Sequence, residues 1–216
     1  MMAKLVPAVP KDCPSSERMV FERLGRELPD DWIVLHSLEL TSHPHKMWGE
    51  TDIVVISTKG VFVIEVKGGS VSCQDGEWSI RTLNGREVYK TQESPWGQAG
   101  TAAAGIRTRL YADERFRGCV VGFGVALPFE TFTASSEEII QEVLWDMRHR
   151  RENLRMYIGR VASYWKSRHE EIRDYAPREL SKSDIVEIRQ LLRPDIDSNF
   201  SLGSYLNDLK VELLEL

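Results

Sequence analysis

Between residues 51 and 69 the chain reads TDIVVISTKGVFVIEVKGG, two apolar runs separated only by Thr58, Lys59 and Gly60. Asp52 opens the first run, and Glu65 and Lys67 close the second. A two-residue loop at Thr58-Lys59 or Lys59-Gly60 makes cross-strand partners whose numbers add to an odd total. Side chains alternate along a strand, so residues 52, 54 and 56 then share a face with 61, 63, 65 and 67. Asp52, Glu65 and Lys67 are expected at one end of that face; a three-residue loop without a bulge would separate them. Two neighbouring carboxylates repel each other and raise a pKa, a conflict that a divalent cation removes. Oxygen ligands of this kind suit Mg2+ or Mn2+, and a lysine beside them can orient or help deprotonate water and stabilise charge on a phosphate. Such a set could cut a phosphodiester. The plainer alternative is an ion pair capping a strand end, with Lys67 bridging Asp52 and Glu65.

These residues need elements to hold them. Ser15 or Ser16 is expected to cap a helix that runs to about Leu28, before Pro29. Its apolar stripe is Val20, Phe21, Leu24 and Leu28, and Glu17 lies on the same face. Residues 32–40 read as a strand and 41–50 as a polar loop, with Glu50 on the face of Asp52. After the hairpin, Asp75-Gly76 and Asn84-Gly85 are turn signals within a small meander. Ser94 and Pro95 start a helix whose inward face is Gln98, Ala102, Ile106 and Leu110. Residues 118–128 form a strand apolar on both faces, which implies a sheet covered on both sides. Beyond Pro128 the pattern predicts a short strand at 143–145 and a helix at 151–168 with Leu154, Ile158, Val161 and Trp165 inward. A further helix begins with a Ser181–Asp184 capping box and a Leu180–Ile185 staple, and stops at Pro194.

Bulk properties narrow the function classes. The net charge of −5 argues against coating nucleic acid by charge alone. Charge is uneven, however: Arg148, Arg150, Arg151 and Arg155 open a basic stretch that could track a phosphate backbone, or simply form a solvated helix face. Cys13, Cys73 and Cys119 are odd in number and widely spaced, which disfavours a disulfide framework or thiolate zinc site and points to a reducing cytoplasm. No stretch approaches the roughly 18–20 apolar residues of a membrane span. His36, His43 and His45 lack zinc spacing and read as surface residues, and Trp48, Trp78 and Trp96 read as core or rim packing before base stacking. Neither a dinucleotide fingerprint nor a P-loop is present.

The run from Glu50 to Gly68, ETDIVVISTKGVFVIEVKG, with SSERMVFERL upstream and SPWGQ downstream, resembles the nuclease-related domain (NERD) family of the PD-(D/E)xK nuclease superfamily. The resemblance implies an α/β fold: a restriction-endonuclease-like mixed central sheet flanked by helices, here with a mainly helical C-terminal extension. The core would span 14–128 and the extension 129–216. By the same resemblance Glu17 takes the role of the helix acid, Asp52 and Glu65 are metal ligands and Lys67 is the catalytic lysine. Gln98 matches a glutamine that contacts substrate or a metal-held water, and the implied activity is Mg2+-dependent cutting of DNA. Ser94 departs from the asparagine common before the proline, and the loop at 41–50 is longer and richer in histidine. Such domains often precede a superfamily 1 helicase, and YLNDLKVELLEL reads as a lead-in to that motor, which makes the chain the N-terminal part of a nuclease–helicase. The reading from a different class is a nucleic-acid-binding or scaffolding module that kept the fold without turnover.

Overall fold

The two apolar runs form the centre of a six-stranded mixed sheet in the computed structural model, which describes residues 2–8, 10, 13–40, 49–83 and 85–196. In chain order the sheet contains β1 (Lys4–Val6), β2 (Ile33–Leu40), β3 (Gly49–Ser57) and β4 (Gly60–Val66). A separate three-stranded meander follows, β5 (Ser70–Gln74), β6 (Glu77–Arg81) and β7 (Val88–Thr91). The main sheet then resumes with β8 (Val121–Leu127) and β9 (Leu144–Asp146), and its spatial order is β1-β2-β3-β4-β8-β9. β2, β3 and β4 run antiparallel, while β1 joins β2, β8 joins β4 and β9 joins β8, each in parallel.

The hairpin turn is the two-residue form. Ser57 pairs with Gly60 and Ile53 with Ile64, so Thr58 and Lys59 alone make the loop. The Ser57 hydroxyl stitches it, accepting from Lys59 N at 3.2 Å and donating to Gly60 O at 3.0 Å. Gly60 has φ +135°, and a Cβ there would lie 2.5 Å from Val120 O. Only glycine combines that conformation with so close an approach of β8's lead-in.

Helices cover both faces, as the doubly apolar strands require. α1 (Ser15–Glu27) packs Phe21 against His36, with ring centroids 5.2 Å apart. α2 (Pro95–Tyr111) lies on the opposite face, where Gly100 approaches Phe123. α3 (Leu154–Arg173) returns to the face of α1 and sets Tyr157 and Trp165 over Gly124 and Gly122. α4 (Lys182–Leu192) lies beside α2, where Leu191 and Leu192 share a hollow with Ile106. Val54, Ile56, Val61 and Val63 are fully buried beneath α2, and Ile53, Val55, Phe62 and Ile64 beneath α1 and α3. At about 1.5–3 kcal/mol for each fully buried aliphatic side chain, these two rows are a principal source of cohesion.

Most expected elements are present, with shifts that have physical causes. The first helix starts at Ser15 itself: Pro14 occupies the cap position and provides no side-chain bond. Ser94 accepts from Gly97 N, and Ser181 and Asp184 form the reciprocal box, both as expected. The later strand is Leu144–Asp146, and the helix after it starts at Leu154 because Asn153 caps it. Trp78 and Trp96 are core residues, and the cysteines are free thiols. Residues after 128 belong to the same sheet through β9 and to the same core through α3 and α4. Asn84, His43, His45, Trp48 and the YLNDLKVELLEL stretch lie outside the described residues, among which no helix is long and apolar enough to cross a membrane.

The turn yields a stability test. Gly60→Ala adds both positive-φ strain and a clash with Val120 O, and is expected to cost about 2–4 kcal/mol. Thermal denaturation followed by circular dichroism should show a drop of several degrees; an unchanged midpoint would mean the turn is not held as described.

Candidate active site

Asp52 and Glu65 come from adjacent strands at the open end of the hairpin. The pairing of Ile53 with Ile64 sets them opposite one another on the face of α2. The Asp52 carboxylate accepts from Val66 N at 2.7 Å, which anchors it across the two strands. Glu65 is only 6% exposed and is in direct contact with the Lys67 ammonium. Lys67 N is itself fixed to Ala126 O at 3.0 Å, so the lysine sits where β4 leaves the sheet beside β8.

Glu17 reaches this end from the first turn of α1, and its Oε2 lies 3.4 Å from His36 Nε2. That separation lacks hydrogen-bond geometry, since the buried His36 Nε2 has no hydrogen-bond partner. Sequence reading placed His36 at the surface; the structure buries it beneath Phe21. The alternation of Val34, His36 and Leu38 carried the signal that would have found it. Glu50, which is exposed, accepts from the Ser37 hydroxyl.

The electrostatics follow from crowding acids in a dry place. Burial raises Asp52 well above the ordinary carboxylate value, and the negative charges of Glu65 and Glu17 push it further. Lys67 and the Val66 amide pull the other way without cancelling the effect. Glu17 is raised to about 7, chiefly by burial and then by Glu65, against an opposing pull from Lys67. Burial disfavours the Lys67 ammonium, but Glu65 and Asp52 outweigh it and hold its pKa above the usual lysine value. Burial, reinforced by Arg193, lowers His36, which favours the neutral imidazole.

Other expected site residues are placed differently. The Gln98 amide donates to Glu93 O at 3.2 Å, within the approach to α2, and no hydrogen bond among the described residues links it to the carboxylates. Arg148 forms a two-pronged pair with the fully buried Asp146 and also donates to Phe132 O. Arg150 and Arg151 are exposed in the segment that follows β9. Arg155 lines a hollow with Lys59 and Trp32, at the turn end of the hairpin away from Asp52. Among the described residues no three His, Cys, Asp or Glu side chains converge as a complete metal cage. Asp52 and Glu65 nevertheless fit a hard cation by their chemistry, because Mg2+ takes one or two carboxylates and fills its shell with water and phosphate.

A mixed central sheet flanked by helices, with Asp52, Glu65 and Lys67 at the mouth of its central hairpin, is consistent with a nuclease-like fold. The family pattern of the nuclease-related domain, NERD, matches residues 15–125, just over half of the chain, and the chain belongs to that family. No curated protein and no solved structure matches it.

The raised carboxylates predict a pH dependence. A carboxyl whose pKa is higher folded than unfolded stabilises the fold below its unfolded value and loses that contribution as pH rises through its folded value. For Glu17 the window runs from 4.5 to about 7. Without divalent cations, the melting temperature should carry a component that falls across this range, and Glu17→Gln should flatten it. Equal slopes in both proteins would contradict the burial of Glu17.

Proposed function

We propose that this chain is a metal-dependent nuclease that hydrolyses DNA phosphodiester bonds. The observation that supports it best is the convergence of Asp52, Glu65 and Lys67 at one rigid sheet end, with Asp52 tied to Val66 N. In this reading Asp52 and Glu65 hold Mg2+ or Mn2+. A cation there supplies charge to offset the two carboxylates and Lewis-acid activation of water. Lys67, in contact with the Glu65 carboxylate, acts as a donor to a phosphate oxygen and stabilises the negative charge that develops there.

Glu17 adds a fourth polar group on the helix side, where its carboxyl exchanges a proton near neutrality. Gln98 sits one turn into α2 and would join the substrate only by leaving Glu93 O. Arg150 and Arg151 are the exposed cations for the DNA backbone near the end of β9, whereas Arg148 is committed to Asp146. Substrate charge then meets acids at the cut, and a divalent cation reconciles that contact.

Cleavage of plasmid and linear DNA with Mg2+ or Mn2+ is the test. Asp52→Ala, Glu65→Ala and Lys67→Ala should each lower the rate by about 100-fold or more, and a chelator should abolish it. Equal cleavage by wild type and variants would trace the activity to a contaminant. If wild type cuts no DNA or RNA, the family fold here serves as a nucleic-acid-binding module.

A further inference from the structure

Across the sheet from Asp52 the β-ladder is interrupted. The pairs His36↔Ile53 and Leu38↔Thr51 put Ser37 opposite Asp52, yet Ser37 itself has φ +52° and makes no ladder pair. A serine in the left-handed region within a strand persists only where its surroundings impose it. Here one side chain grips the turn from outside the sheet. Arg193, at the C-terminal end of α4, donates to His36 O at 2.8 Å and Val6 O at 3.3 Å, and its second terminal nitrogen contacts Ser37 O. The guanidinium fork thus collects carbonyls from β1 and from both residues of the β2 interruption, which a point-charge ammonium on a flexible stem could not do.

Arg193 lies well beyond the segment matched by the family, whereas His36 and Ser37 lie within it. It nevertheless reaches the strand next to Asp52. On its β4 side Asp52 is held by Val66 N; on its β2 side the regular ladder has been given up at that position. The Ser37 hydroxyl meanwhile engages Glu50, two residues from Asp52. We propose that Arg193 is a positioning residue for the active site: by locking the left-handed turn at Ser37 it fixes the β2–β3 backbone that aims Asp52. The inference rests on the reading of Asp52 as a metal ligand, and it gives α4 a task within the site without touching substrate.

Hydrogen exchange by mass spectrometry, Mn2+ titration by calorimetry and DNA cleavage test it together. In Arg193→Ala the amides of residues 36–38 and 50–53 should exchange at least tenfold faster, with those of α2 and β8 unchanged. Mn2+ affinity should fall at least threefold, and kcat for cleavage should fall while KM for DNA holds. Arg193→Lys should resemble Arg193→Ala, because charge alone does not supply the fork. Glycine adopts positive φ at no steric cost, so Ser37→Gly in the Arg193→Ala background should restore protection and Mn2+ affinity. Unchanged exchange and Mn2+ binding in Arg193→Ala would overturn the proposal. So would a loosening spread over the whole sheet that Ser37→Gly fails to reverse. Exchange and Mn2+ binding judge Arg193 even if the wild type proves inactive on DNA, so the two readings can fail separately.

Discussion

The pairing of Ser57 with Gly60 decides which way every side chain of the central hairpin faces. Because the side-chain period is two, slipping one strand by a single residue would exchange the rows beneath α1 and α2 and turn Asp52 away from Glu65. The turn is correspondingly well held, by the Ser57 hydroxyl on both sides and by the fit of Gly60 against Val120 O. Two fully apolar rows then give that register a large energetic margin over its alternatives. The site is precise because the core next to it cannot repack into another alignment.

Set against this is an electrostatic cost that the fold concentrates at one end. Asp52, Glu65 and Glu17 are crowded where water cannot screen them, and the raised Asp52 and Glu17 record the strain. Lys67 and the Val66 amide offset part of it, and neutral His36 avoids adding a further charged group to solvate. A site built for stability would not leave acids in this condition, and proteins commonly accept such local instability where chemistry is done.

How much of this was legible in the sequence depended on the range of the signal. The hairpin, its faces and its polar ends follow from alternation and a short turn, both local properties, and they came out as expected. The Ser94 cap and the Ser181–Asp184 box are likewise local patterns. Contacts between distant segments were not legible. Nothing near Arg193 announces that it reaches Ser37, and nothing near Asp146 announces that it will bind Arg148 from within the core. β1 was missed because three residues beside prolines present no periodicity to read. His36 was misplaced because histidine is an unusual inward residue, although its neighbours alternate correctly. The basic stretch looked uniform as text, yet it divides among an ion pair, an exposed segment and the far end of the sheet once it is folded.

The tie between α1 and α3 has a bearing on how the chain is made. Glu27 accepts the Leu154 amide at 2.6 Å from 127 residues away, and Arg23 donates to the carbonyls of Arg150 and Glu152. At about 5–20 residues per second on the ribosome, α1 waits roughly 6–25 s for that partner to emerge. Its Arg23–Glu27 pair is internal to the helix and can form meanwhile, so neither charge need stand alone. The hairpin fares worse in the same interval. β4 must wait for β8 to close its outer edge, and until then a strand apolar at every position but Glu65 presents open backbone groups to any other nascent strand. The feature that makes the mature site rigid therefore makes the half-made chain adhesive, and its safest route is rapid synthesis of the segment that ends at Leu127.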